Sequence, residues 1–299
     1  MSDIIHYDHC PACGSADISF VLKAKDETVS HEYFEIWECN NCTLRFTQNI
    51  PNEKNIGKYY QSSAYISHSN SSKGVINKLY HNVRSITLQS KRKLVEKSSG
   101  KKAGRLLDIG AGTGAFASTM KKAGWNVTGL EPDETARTNA KRDFDIELQS
   151  IENLFSLQPN TFDVVTLWHV LEHVHKLHIY LDTFYSLLAD NGTLIIAVPN
   201  YTSYDAKAYS ANWAAYDLPR HLYHFSPQSM NTLLKARQFE LMQQKPMWFD
   251  SFYVSMLSEQ YENGKQNLLA AFWSGLRSNL RAMNHVKRCS SVIYIIKKI

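Results

Sequence analysis

Four cysteines stand as two pairs, Cys10-Pro-Ala-Cys13 and Cys39-Asn-Asn-Cys42. A Cys-x-x-Cys turn aims two thiolates at one ion, and two such turns supply the closed tetrahedral shell of a structural Zn2+ site. Redox chemistry and disulfides are the competing readings, and a cytosolic setting disfavours disulfides. A second group is His169-Val-Leu-Glu172-His173. Read by itself it is the inverted zinc-protease signature, but that motif belongs inside a long helix and this one follows an apolar strand. A third group lies in residues 212–227, NWAAYDLPRHLYHFSP, which is dense in aromatics and holds Asp217, Arg220, His221 and His224. Histidine titrates near neutrality, so His221 or His224 is a candidate base, with His173 a further catalytic candidate and Arg220 a candidate anion clamp. The fourth group is Gly110-Ala-Gly112-Thr-Gly114, preceded by Asp108 and followed by Glu131. Gly110-x-Gly112-x-x-Ala115 also fits a dinucleotide fingerprint, and Glu131 can hold a ribose diol in either case, so a NAD-dependent oxidoreductase stays open on these residues alone.

The elements that must position these groups follow from apolar periodicity. Short runs at Ile18–Leu22 and Tyr33–Trp37 read as strands between the cysteine turns, giving a zinc ribbon over residues 1–50. Residues 51–102 read as a linker, holding Tyr65 and His68, and a helix from Gly74 to Lys97. From residue 103 to 299, strands alternate with amphipathic helices: Arg105–Ile109, Asn126–Leu130, a short strand near Ile146, Phe162–Trp168 and Thr193–Val198. That alternation predicts an α/β fold with a doubly wound, Rossmann-like parallel sheet whose ligand lies outside the carboxyl ends of the strands. Residues 201–226 leave from that edge and read as a lid over a substrate pocket. Ser226-Pro227 reads as a helix start. Phe239–Gln243 and Ser291–Ile296 read as two final strands separated by a helical insertion.

Asp108-x-Gly110-x-Gly112-x-Gly114, Glu131, Phe162-Asp163 and Asn191-Gly192 together resemble the class I S-adenosylmethionine-dependent methyltransferases over residues 105–200. The resemblance implies a seven-stranded sheet and S-adenosyl-L-methionine as cofactor. Asp108, Gly110, Gly112 and Gly114 would surround the methionine moiety, Glu131 would grip the ribose hydroxyls, Ser150 and Ile151 would meet adenine, and Trp168 and His169 would lie beside the cofactor. Physical need agrees: a sulfonium cofactor has no pyrophosphate to anchor, and a carboxylate suits its ammonium group. His169-x-x-Glu172-His173 is similar to the Glu-x-x-Glu-His form that binds a divalent ion in ubiquinone-pathway O-methyltransferases, with His169 in place of the first Glu. The ribbon followed by this core resembles deoxysugar C-methyltransferases without their C-terminal domain.

The chain has 299 residues, 43% of them hydrophobic and 20% charged, which excludes wholesale disorder. No apolar run approaches the ~20 residues of a membrane helix, and no secretory signal is visible, so the expectation is a cytoplasmic protein. The net charge of +5 is uneven. Residues 73–105 carry ten Lys/Arg against Glu96, and residues 264–299 carry seven Lys/Arg and no acid. Such segments suit RNA, making an RNA methyltransferase the alternative to a small polar acceptor such as a sugar or phenol. Leu268, Leu269, Phe272, Trp273, Leu276, Leu280 and Met283 fall at helical spacing, a stripe that fits its own core or a membrane surface. A non-catalytic scaffold is a further alternative. Nothing in the sequence reads the oligomeric state.

Overall fold

The computed structural model describes residues 3–61, 75–265 and 267–299, apart from the side chains of 75–82 and 284. Tyr65, His68 and the predicted helix start at Gly74 lie outside the described residues.

The N-terminal part is built from β1 (Ile4–Ile5), β2 (Ile18–Lys25), β3 (Tyr33–Cys39), β4 (Arg45–Thr47) and β5 (Ile50–Pro51). β2, β3 and β4 form an antiparallel meander, and β1 pairs with β5. Helix α1 (Val75–Ser99) leads into the larger layer. There β6 (Arg105–Ile109), α2 (Ala115–Lys122), β7 (Asn126–Leu130), α3 (Glu134–Phe144), β8 (Leu148–Gln149), β9 (Phe162–Trp168), α4 (Leu177–Leu187) and β10 (Leu188–Pro199) alternate. α5 (Tyr204–Tyr209) opens the lid region and β11 (Tyr223–His224) closes it; α6 (Pro227–Lys235), β12 (Phe239–Pro246), α7 (Asp250–Asn263), α8 (Leu268–Asn284) and β13 (Ser291–Lys298) complete the chain.

The seven-stranded sheet has the order β12-β13-β10-β9-β6-β7-β8, with β13 antiparallel to both its neighbours. Its central strands are apolar because helices cover both faces: β9 and β10 bury nearly every residue from Val164 to Leu167 and from Gly192 to Pro199. The third strand, expected near Ile146, forms two residues later, because Ile146 is spent closing the α2–α3 packing. α6 starts where Ser226-Pro227 predicts, with the Ser226 side chain accepting from the Ser229 amide.

The lid differs from a free loop. Tyr223 and His224 form β11, which pairs with Phe46 and Arg45 of β4, so the lid supplies the fourth strand of the cysteine-bearing sheet. A three-residue β4 would otherwise expose a polar edge. One apolar core runs from Cys10, Cys39, Cys42 and Leu44 through Leu222 and Phe225 to the large sheet, so residues 1–50 do not pack as a separate body. A second cluster joins Ala24, Phe34 and Ile36 to Trp213, Tyr216 and Leu218 of the lid.

At that junction Arg220 is 1% exposed. Its Nε donates to both Asp217 carboxylate oxygens at 3.1 Å, Nη1 donates to the Tyr59 carbonyl at 2.7 Å, and Nη2 donates to Asp26, Thr28 and Asp217. Arg220 was a candidate anion clamp; its fork is occupied by the protein itself, so it is a fastener between ribbon and lid. Burial would raise the Asp26 carboxyl, but the Ser30 and Thr28 amides and the Arg220 charge hold it at about 2. Replacing Arg220 by Leu strands the buried Asp26 and the half-buried Asp217 carboxylates and is expected to lower unfolding free energy by about 3–5 kcal/mol in urea titrations. A loss below about 1 kcal/mol would contradict this role.

Candidate active site

The glycine turn after β6 has three residues at positive φ: Gly110 at 64°, Gly112 at 54° and Gly114 at 75°. A Cβ on Gly110 would lie 2.5 Å from the Val170 side chain, whereas one on Gly112 would meet no atom within 4 Å. Gly110 is thus fixed by packing, and Gly112 faces open space where a ligand can approach backbone. Glu131, at the end of β7, accepts from the Gly112 amide at 2.7 Å and the Asp133 amide at 3.0 Å. The turn and the carboxylate are therefore held as one unit. Ser150 and Ile151 follow directly on β8, adjacent to Glu131 through the Glu131 amide bond to Gln149.

Asp108 is buried on β6 and accepts from the Thr166 hydroxyl of β9 at 2.7 Å. Burial lifts its carboxyl to about 7, against the pull of Thr166 and Lys91. Lys91 of α1 places its ammonium 4.3 Å over the Trp168 ring, and burial lowers it to about 8 although Asp108 and Asp250 draw it up. The sequence reading missed Lys91 as a site residue, counting it only as charge on a helix. It also missed Asp250, the first residue of α7, whose carboxylate lies 3.8 Å from His169 Nε2. Lys91 stands between Ser90 and Arg92 in a basic run, so nothing local set it apart from the other helix charges, and Asp250 carried no signal either.

Past β9 the backbone turns sharply, with His169 at φ 58°. Leu171–His173 form one 3-10 turn and α4 begins only at Leu177, so the long helix of a zinc protease is missing from the motif. His169 Nδ1 stands 3.4 Å from Glu172 Oε1. Among the described residues, six buried side-chain polar atoms have no hydrogen-bond partner, and four belong to this turn: Trp168 Nε1, His169 Nε2 and both Glu172 carboxylate oxygens. Burial would raise the Glu172 carboxyl, yet His169, His221 and His173 hold it below the usual range. It is a buried carboxylate that meets His169 Nδ1 at 3.4 Å without a well-formed hydrogen bond, an arrangement with room for a ligand.

The lid brings His221 to this point. Glu172, His173 and His221 each offer a ligand atom within 4.8 Å of the others. His173 Nδ1 faces the Arg220 carbonyl at 3.0 Å, and His221 Nδ1 faces the Ala215 carbonyl at 2.8 Å. A carbonyl only accepts, so both Nδ1 atoms carry the proton and both Nε2 atoms are left as acceptors. Burial and the nearby His221 lower His173 to about 4. His224, the other base candidate, is on β11 and does not join the group. Its Nε2 contacts the Thr47 hydroxyl at 3.1 Å under complete burial, which holds it well below the usual range, so it packs the strand pairing instead of serving as a base.

The four cysteines come together at the base of the ribbon, all thiols free. Cys10 and Cys42 Sγ are 3.5 Å apart, Cys13 and Cys39 Sγ 3.6 Å, and all four lie within 4.8 Å. A tetrahedral ion with ~2.3 Å bonds to sulfur needs sulfurs about 3.8 Å apart, so the donor set suits one.

A family profile described as a methyltransferase domain matches residues 81–244. The chain is 28% identical over 159 residues to a ubiquinone biosynthesis O-methyltransferase of Xanthomonas campestris, covering 49% of this chain and 66% of that protein. It is 32% identical over 118 residues to the like-named protein of Actinobacillus pleuropneumoniae, covering 36% of this chain and 50% of that one. The match thus spans between half and two thirds of these relatives' length. A S-adenosylmethionine-dependent methyltransferase structure from Archaeoglobus fulgidus aligns at TM-score 0.47 and 22% identity over 72% of this chain and 94% of that one. The matched stretch holds most of α1, the glycine turn, Glu131, the His169 turn and the lid, and the chain belongs to the methyltransferase-domain family, the enzymes that use S-adenosylmethionine.

Proposed function

We propose that this protein transfers a methyl group from S-adenosylmethionine to a small polar acceptor whose reacting group, such as a phenol or sugar hydroxyl, must lose a proton. The observation that carries the reading is the cluster of unpartnered buried polar atoms at Trp168, His169 and Glu172, set between Asp108 and His221. The residues fit the cofactor. Asp108 suits its ammonium, Lys91 its carboxylate, Glu131 its ribose hydroxyls, and Ser150 and Ile151 its adenine. When bound, the cofactor supplies an electrophilic methyl carbon for in-line displacement. The protein's own work is to orient the acceptor, exclude water and take up its proton. His221 is the base: its Nε2 is an acceptor, its Nδ1–H is fixed by the Ala215 carbonyl, and the Glu172 carboxylate stabilises the imidazolium that forms. His173, held at about 4, is too weak a base for neutral pH and serves to shape the pocket. The relatives named for ubiquinone biosynthesis support a phenol within this class.

We read the cysteine cluster as a structural zinc site, since four thiolates leave no open coordination position. A second reading gives the cluster at Glu172 a divalent ion, favoured by one carboxylate and two imidazoles that each offer a ligand atom within 4.8 Å of the others. RNA as acceptor remains the reading of the basic segments, and acceptor screening decides between them.

Glu131→Ala should weaken S-adenosylmethionine binding about 100-fold or more by calorimetry, and His221→Ala should leave binding within about twofold while lowering kcat about 100-fold. Equal cofactor affinity in Glu131→Ala contradicts the site. Binding should also follow pH. Below about 7 a proton on Asp108 competes with the ammonium, and above about 8 Lys91 loses the charge that holds the carboxylate, so affinity should peak between these values. Asp108→Asn should remove the acid limb and Lys91→Met the alkaline one; a flat profile from pH 6 to pH 9 in the native protein contradicts both assignments. Metal analysis should find one zinc per chain, lost in Cys39→Ala/Cys42→Ala. Turnover that falls on chelation and returns with magnesium while zinc stays bound would establish the second reading, and turnover indifferent to chelation would exclude it.

A further inference from the structure

Helix α8 is packed the wrong way round for a core helix. Its small residues Ala271, Gly275, Ser278 and Ala282 are buried. Gly275 permits this approach, since a Cβ there would lie 2.7 Å from the Phe252 ring of α7, and the Ser278 hydroxyl donates to buried Asp205. The large apolar residues face outward: Leu269 is 76% exposed, Trp273 55% and Met283 67%, with Phe272 and Leu280 also exposed. At 3.6 residues per turn these five side chains fall within an arc of about 100°. The strip continues onto exposed Trp248 and Phe249, because Asn279 of α8 donates to the Trp248 carbonyl.

The surroundings of the strip are cationic. Arg277 and Arg281 line one flank, Lys265 precedes the helix, and Lys287 and Arg288 follow it, all exposed. Residues 264–299 contain no acid, and Glu262 at the end of α7 is the exposed acid closest in sequence. A twofold pairing with a second copy would bury the apolar strip but set these cations against one another without carboxylates between them. An anionic lipid surface satisfies both features: the apolar side chains enter the acyl boundary, Trp273 sits at the headgroup level, and the cations meet phosphates.

We propose that the outer face of α8 docks on anionic lipid bilayers, with the helix lying in the headgroup plane. No helix among the described residues is long and apolar enough to cross a membrane, so the contact is interfacial. The proposal is independent of which acceptor is methylated.

Flotation of the full chain with vesicles of phosphatidylcholine, with and without phosphatidylglycerol, tests it. The protein should float with the anionic vesicles and less at high salt. Leu269→Glu/Trp273→Glu should reduce partitioning at least tenfold, and Arg277→Gln about fivefold, with S-adenosylmethionine affinity unchanged in both as the check on folding. Failure of the native protein to float, or equal flotation of the double variant, overturns the proposal. So does a native dimer by light scattering that the double variant splits while neither form floats, which would assign the face to a second copy.

Discussion

The arrangement depends on one buried cation. A guanidinium at 1% exposure is tolerable only if its charge is matched, and Arg220 finds its match in Asp217 on its own turn and Asp26 on the ribbon, 194 residues away in sequence. The pairing holds the lid against the ribbon, and the same residue's carbonyl fixes the tautomer of His173. One residue later His221 enters the Glu172 cluster. The ribbon is therefore part of the support behind the lid: its edge strand β4 pairs with β11, its core runs into the large sheet, and its carboxylate Asp26 secures the turn that carries the candidate base.

From that knot a line of polar groups runs inward across the carboxyl edge of the sheet. Asp217 and Arg220 give way to His221 and His173, then Glu172, His169 and Asp250, then Lys91, Asp108 and Glu131. Burial wins at some of these groups and pairing at others, since Asp217, Arg220 and His169 shift toward their charged forms against desolvation. Desolvation lifts Asp108 and Glu131 and lowers Lys91 and His173, while neighbouring imidazoles keep Glu172 ionised. Groups of opposite preference placed along one sheet edge are what a bound zwitterion and a proton transfer require.

Much of this was legible in the sequence, and the reason is locality. The glycine turn, Asp108 and Glu131 lie within one strand-turn-helix-strand unit, so their spacing carries their geometry. The cysteine pairs are two local turns whose thiols have one chemistry in common. The capping at Ser226-Pro227 is likewise local. What escaped was long-range. Nothing near Arg220 in sequence shows that Asp26 awaits it, so it read as a free anion clamp. His224 read as a base because its pairing partner in β4 is far away in the chain. Lys91 read as helix-surface charge because the α1 face it occupies is decided by packing against β9 and Trp168.

The most direct test of the central claim is calorimetric titration of the purified protein with S-adenosylmethionine, S-adenosylhomocysteine and NADH in parallel. The account predicts micromolar binding of the two sulfur compounds and none of NADH. Binding of NADH alone would make the Gly110–Ala115 turn a dinucleotide site and contradict the assignment of Asp108, Lys91 and Glu131 to a methionine-bearing ligand.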